Sequence, residues 1–159
     1  MGKIADLTMT DEFRQIVQIG IITTDMEKTK AGMLEVFGLA PDMEGDVVYK
    51  QVLYRGQVQD APVRNAFYNF FNIQLEFLEP IGEEDTIWSD WVKMGNNGLH
   101  HVRFDVDDMA ACDRMMAEKG IGIWQQGESL VTPGVIFTYY DSLEKLGFIV
   151  EAVTRKPQK

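Results

Sequence analysis

The sequence predicts an α+β fold built from two βαβββ modules. Three observations lead there. The order strand, helix, three strands is read twice along the 159 residues. Sliding one half onto the other by 83 residues, the distance from Gln18 to His101, also places Asp25 on Asp108, Met26 on Met109 and Glu35 on Glu118. Finally, single polar residues interrupt apolar strands at equivalent places in the two halves: Gln18 and Glu76 in the first, His101 and Glu151 in the second.

The elements follow in order. IVQIGIIT, Ile16 to Thr23, is apolar and β-branched and reads as a strand. Thr24 and Asp25 offer an N-cap, and Met26, Thr29, Met33 and Phe37 recur at helical spacing until Gly38 stops the helix. Pro41 to Asp46 reads as a turn and Val47 to Tyr54 as a strand. From Asn65, AFYNFF and IQLEFLEP form a hairpin that turns at Asn72 and ends at Pro80. EEDTIWSDWVKMG is a short amphipathic helix with acids at its start and Lys93 near its end, as the helix dipole favours. After the break at Asn96, Asn97 and Gly98, the strand LHHVRFDV opens the second unit. Asp107 and Asp108 cap a helix with the stripe Met109, Cys112, Met116, stopped by Gly120. Strands are expected at Ile121 to Trp124 and Val135 to Tyr140, then a turn through Asp141 to Gly147 and a last strand, FIVEAV; the tail TRKPQK is expected to fray. The expected organisation is one domain over 1–159, with modules at 14–80 and 98–154 joined by a linker helix within 81–97.

Composition narrows the function classes. Fifteen Lys plus Arg against 25 Asp plus Glu give a net charge of −10, with no basic block, which argues against nucleic acid or an anionic membrane as partner. A single cysteine, Cys112, makes no internal disulfide and no CxxC site. No apolar run reaches signal or membrane-spanning length, so a cytoplasmic protein is expected.

Burying a polar group in an apolar strand is costly unless something pairs with it. If the two units face each other across a pseudo-twofold axis, Gln18, Glu76, His101 and Glu151 converge on one point. An imidazole nitrogen, two carboxylates and an amide oxygen form a shell suited to one divalent ion, with Co, Ni, Zn or Mn as candidates. Any one of these residues alone reads better as an ordinary strand residue; four at duplicated positions do not. His100 competes with His101, but neighbours on a strand face opposite ways, and parity with Gln18 selects His101.

Four segments, QIGIITTDMEKT, QLEFLEPIGEED, NNGLHHVRFDVDDM and DSLEKLGFIVEAV, resemble the vicinal oxygen chelate superfamily, and most closely its methylmalonyl-CoA epimerase branch. The similarity runs from Ile16 to Val153. It implies a curved mixed sheet of paired modules around a metal cleft, a metal held by Gln18, Glu76, His101 and Glu151, and a homodimer. It also implies a metal-dependent isomerase or epimerase that abstracts an α-proton and stabilises the enolate, with a small-molecule substrate of acyl-CoA type. Glu151 is then the candidate base, and Phe67 and Tyr139 the candidate cleft walls.

The departures from the pattern matter. Gln18 stands where the branch usually has His, giving a shell like that of the zinc-type glyoxalase I enzymes. Yet Ile22 and Pro80 occupy the places where those enzymes usually carry Arg and Asn for glutathione. One His in the shell also disfavours ring-cleaving iron dioxygenase chemistry. The branch places an acid on the strand after the first helix, whereas VVYKQVLYRGQ has no carboxylate, and Gln51 or Lys50 lies nearest that position; Gln51 is taken as a substrate-binding candidate. Two alternatives stay open: a glyoxalase-like lyase using a thiol other than glutathione, and a non-catalytic binding protein of the same fold.

Overall fold

The computed structural model describes residues 12–159. Twelve elements follow one another: β1 (Ile16–Ile22), α1 (Met26–Phe37), β2 (Met43–Tyr54), β3 (Gln57–Asn69), β4 (Gln74–Pro80), α2 (Ile87–Lys93), β5 (Gly98–Val106), α3 (Met109–Glu118), β6 (Ile123–Glu128), β7 (Ile136–Tyr140), α4 (Leu143–Leu146) and β8 (Ile149–Thr154). The expected α+β class and curved mixed sheet are both present. Eight strands close in the order β1-β4-β3-β2-β6-β7-β8-β5. β1 runs parallel to β4 and β5 parallel to β8, while β1 and β5 pair antiparallel across the centre. Exchanging β1 with β5, β2 with β6, β3 with β7 and β4 with β8 maps this order onto itself, which is the pseudo-twofold that the repeated element order calls for.

Both long helices begin alike. Asp25 Oδ1 accepts from the Lys28 N–H at 3.0 Å, and Asp108 Oδ1 accepts from the Ala111 N–H at 2.9 Å. The next residues, Met26 and Met109, are buried in each case. α1 lays Met26 and Met33 on the outer face of its sheet half, against Ala66, Tyr68 and Phe77. α3 does the same with Met109, Cys112 and Met116 against Tyr140, Val150 and Ala152. With the outer faces covered by helices, the inner faces enclose a third core. Ile22, Val52, Val63, Leu78 and Ile149 meet there, and Ile87, Trp88 and Trp91 of α2 plug it.

The boundaries differ from the sequence reading where turn chemistry is disguised. β2 starts at Met43, inside the expected turn, and β3 starts at Gln57 rather than near Asn65. The two-residue hairpin between them is Arg55-Gly56, with φ of 46° and 80°, so Arg55 holds a left-handed position usually given to Asn, Asp or Gly. Pro62 also disguises β3, yet it is harmless there, because β3 pairs with β4 only from Val63 onward. β6 covers 123–128 instead of 121–124, since Ile121 is drawn into the α3 core. α4 forms one short turn inside the expected 141–147 turn. The tail does not fray. The Gln158 backbone N–H donates to Gly134 O at 2.8 Å, and Gln158 Oε1 accepts from the Met109 N–H at the start of α3 at 3.2 Å.

β2 and β6 pair only through Leu53–Gln126 and Tyr54–Gln125. Beyond them β6 ends at Glu128 and the chain loops through 129–135, so the barrel wall opens. Met43, Glu44 and Gly45 border one side of the opening, and Ser129, Leu130 and Val131 the other.

Replacing Asp25 or Asp108 by Ala removes one cap from each module and should lower the unfolding free energy by about 1 kcal/mol apiece. The effects should add in the double variant, because the caps share no partner. Urea denaturation of the three variants measures this, with Asn at either position close to neutral.

Candidate metal centre in the cleft

The strand registers build the centre from two rows of inward-facing residues. Phe67 lies opposite Glu76, Glu76 beside Gly20, Gly20 opposite His101, and His101 beside Ile149. The second row is Tyr139, Glu151, Arg103, Gln18 and Gln74 in the same relation. The pseudo-twofold exchanges the rows member for member: Phe67 with Tyr139, Glu76 with Glu151, Gly20 with Arg103, His101 with Gln18. Each row thus contributes one carboxylate and one nitrogen- or amide-bearing side chain. They meet because β1 and β5 are neighbours.

Gly20 makes the meeting possible. A Cβ built there would lie 1.9 Å from His101 Cε1, inside the imidazole ring. The ring therefore occupies the volume that any other residue at position 20 would fill.

All four side chains are buried: Gln18 is 2%, Glu76 6%, His101 0% and Glu151 5% exposed. His101 Nε2 lies 3.2 Å from Gln18 Oε1, 3.4 Å from Glu76 Oε2 and 3.2 Å from Glu151 Oε2. The Gln18 amide nitrogen donates to Gln74 Oε1 at 2.6 Å, and Gln74 in turn donates to Asn69 Oδ1, so Gln18 Oε1 is left facing the imidazole. On its other side His101 Nδ1 meets His100 Nδ1 at 2.9 Å. His100 lies behind that imidazole and packs edge-on against Trp91 and Tyr139.

Burial alone would depress the His101 pKa, but the charges of Glu151 and Glu76 override it and hold it up at about 9. Burial pushes the Glu76 carboxyl up. Two buried carboxylates thus face one imidazole, and Glu151 Oε2 makes no hydrogen bond among the described residues. That is an incomplete charge balance in a desolvated place, and it fits a cation. The donors of Glu76, His101 and Glu151 lie within 4.8 Å of one another. Separations of 3.2–3.4 Å from His101 match adjacent donors around an ion bound at about 2.0–2.4 Å. The residues present fit a divalent ion of intermediate hardness.

The surrounding cavity measures about 370 Å³. Phe67 and Tyr139 both line it. Gln51 does not reach it. A bulge between Tyr49 and Val52 turns Lys50 and Gln51 outward, where Lys50 Nζ and the Gln51 N–H both bond Asp60. The extended β2 does carry acids, but Glu44 is held on the outer face by Lys30 at 2.7 Å and Asp46 by Arg64 at 2.6 Å. Glu44 borders the cavity at its opening, and the further polar residues of β2 and β3 that line it are Tyr49 and Asn65. Sequence reasoning missed both, although Tyr49 keeps strand parity with Val47. Trp88 of α2, Arg103 of β5 and Phe137 of β7 also line it.

A profile of the family described as the Glyoxalase/Bleomycin resistance protein/Dioxygenase superfamily matches residues 17–139. The chain is similar to the ethylmalonyl-CoA/methylmalonyl-CoA epimerase of Cereibacter sphaeroides, with 31% identity over 94 residues that span 55% of this chain and 70% of that one. Among solved structures, a hypothetical protein of Bacillus halodurans C-125 superimposes with a TM-score of 0.67 at 18% identity, over 91% of this chain and 96% of that one. A variant methylmalonyl-CoA epimerase of Streptomyces coelicolor in complex with 2-nitronate-propionyl-CoA superimposes with a TM-score of 0.61 at 20% identity, over 88% of this chain and 93% of that one. At these identities the two structures speak for the fold.

Gly20→Ala tests the close approach of β1 and the imidazole. Because the added methyl overlaps the His101 ring, the substitution should cost about 1–3 kcal/mol of stability as overpacking. It should also abolish stoichiometric binding of Co(II), measured by calorimetry on the folded variant. Unchanged binding would mean that the His101 position is not essential to the centre.

Proposed function

The chain belongs to the glyoxalase/bleomycin resistance protein/dioxygenase superfamily, and on that premise we propose that it is a metal-dependent isomerase or epimerase that removes the proton beside the carbonyl of an acyl-CoA thioester. The observation that carries this reading is the convergence of Gln18, Glu76, His101 and Glu151 on one buried point that opens to a cavity. The epimerase relative supports the thioester.

In this reading the four side chains hold one divalent ion, Co, Ni, Zn or Mn, which supplies positive charge against the oxyanion that develops as the α-proton leaves. Glu151 is the base, its carboxylate loosening from the ion as substrate arrives and then taking the α-proton. Gln18, fixed by Gln74, keeps its amide oxygen toward the centre. Phe67, Tyr139 and Trp88 wall the cavity and keep water from the reacting carbon.

One observation favours a second reading, a one-base isomerisation of glyoxalase type. Full inversion of a stereocentre uses a proton handler on each face of the enolate, and the acids of β2 face outward toward Lys30 and Arg64. Of the carboxylates that border the cavity, Glu76 and Glu151 belong to the candidate metal shell and Glu44 is paired with Lys30 at the opening.

Protein stripped with chelator and reloaded with each metal, then incubated with methylmalonyl-CoA in ²H₂O, decides between them by NMR and chiral analysis. Solvent deuterium at the α-carbon is expected, lost on chelation and reduced about 100-fold or more in Glu151→Gln. Exchange with inversion supports the epimerase, and exchange with retained configuration the one-base isomerase. No exchange with any metal contradicts the thioester reading.

A further inference from the structure

The chain contains two histidines, and they are neighbours. His101 belongs to the centre. His100 is 0% exposed and takes no part in the proposed reaction. Adjacent residues of a regular strand face opposite ways, yet these two rings touch, with Nδ1 atoms 2.9 Å apart and planes at 86°. The β1–β5 register explains the contact. It steps from Gly20–His101 to Ile21–Leu99, so His100 is the extra residue of a bulge, which re-aims its side chain. Edge contacts with Trp91 and Tyr139, at centroid distances of 4.9 and 5.8 Å, then hold the ring behind that of His101.

Proton accounting gives the contact a direction. Two ring nitrogens 2.9 Å apart make a hydrogen bond when one carries a proton and the other offers a lone pair. His101 Nε2 faces Gln18 Oε1, Glu76 Oε2 and Glu151 Oε2, so Nε2 is the nitrogen placed to ligate. A neutral imidazole that ligates through Nε2 keeps its proton on Nδ1. His100 Nδ1 is then the acceptor, and His100 carries its own proton on Nε2. That Nε2 makes no hydrogen bond of full geometry among the described residues, and the Ile87 backbone at the start of α2 lies close enough to favour a proton on this ring.

A metal-ligating imidazole ordinarily gives its second N–H to a carboxylate, a carbonyl or a water. Here a neutral ring stands in that place. The choice suits the charge of the centre, because Glu76 and Glu151 already match a divalent ion and a third buried carboxylate would be left without a countercharge.

We propose that His100 is a positioning residue that accepts the Nδ1–H of His101 and so fixes the tautomer and ring plane with which His101 offers Nε2 to the ion. This rests on the metal reading of the centre and not on the identity of the substrate. The competing role is packing alone, a ring that fills the space between His101, Trp91 and Tyr139.

With two histidines in the chain, ¹⁵N-histidine labelling of untagged protein gives an uncrowded spectrum. In Zn(II)-loaded protein, dialysed free of excess ion, long-range ¹H–¹⁵N correlations are expected to place protons on His101 Nδ1 and His100 Nε2. A coupling across the hydrogen bond should join the two Nδ1 atoms. Calorimetry then compares Zn(II) binding by wild type, His100→Phe and His100→Asn. Phe fills the space of the ring and removes the acceptor, whereas Asn leaves a gap but can put its amide oxygen near the place of Nδ1. The expected result is Zn(II) affinity about 10- to 100-fold lower in His100→Phe and largely regained in His100→Asn, even though the Asn variant melts lower. Packing alone predicts the reverse order. Unchanged affinity in His100→Phe, no recovery in His100→Asn, or a loaded wild type without a proton on His101 Nδ1 overturns the role of His100 and leaves the metal centre standing. If His100→Phe does not fold, the spectrum of the loaded wild type decides. No Zn(II) binding by wild type overturns the metal reading and this role with it.

Discussion

The antiparallel pairing of β1 with β5, with Gly20 opposite His101, is the constraint on which the rest depends. It brings two modules together along their central strands, and it fixes the level at which their inward side chains meet. A slip of one residue would turn Gln18 and His101 out of the cleft and His100 into it. The absence of a Cβ at position 20 then decides that the imidazole sits at the seam, within reach of both carboxylates.

The helices make the interior available for chemistry. Each covers the apolar outer face of its own sheet half, Ala66, Tyr68 and Phe77 on one side and Tyr140, Val150 and Ala152 on the other. The inner wall divides in two. Ile22, Val52, Leu78 and Ile149, plugged by Trp88 and Trp91, form a dry end, and the polar level of Gln18, Glu76, His101 and Glu151 lies above it. Desolvation there weakens each charge's contact with water and strengthens its contact with the others. The charges of the paired glutamates outweigh burial at His101 and hold its pKa up. Glu76, His101 and Glu151 could hold a divalent cation, which would answer the same two carboxylates.

Much of this was legible in the sequence for one physical reason. A polar residue inside an apolar β-branched strand has to be paid for, so Gln18, Glu76, His101 and Glu151 stood out, and the repeat located them relative to one another. What remained hidden depends on backbone irregularity. The bulge at Lys50 and Gln51 reverses strand parity, so Gln51 faces Asp60 while Tyr49 faces the cavity. The Arg55-Gly56 hairpin and Pro62 masked the first half of β3, and with it the alternation that leads to Asn65. The place of Arg103 beside Glu151 follows from the β5–β8 register, a long-range fact. The ordered tail was hidden for the same reason: Gln158 finds its partners 49 and 51 residues away, at Met109 and Asp107.

The central claim is that both modules are needed to hold one ion. Co(II) titration followed by calorimetry and by the visible absorption of the bound ion tests it most directly, on wild type and on Glu76→Ala and Glu151→Ala. The account predicts one equivalent per chain in wild type, with a spectrum of mixed nitrogen and oxygen ligation, and loss of that binding in either variant while the fold is kept. Full binding in either variant, two independent equivalents, or no binding to wild type would contradict it.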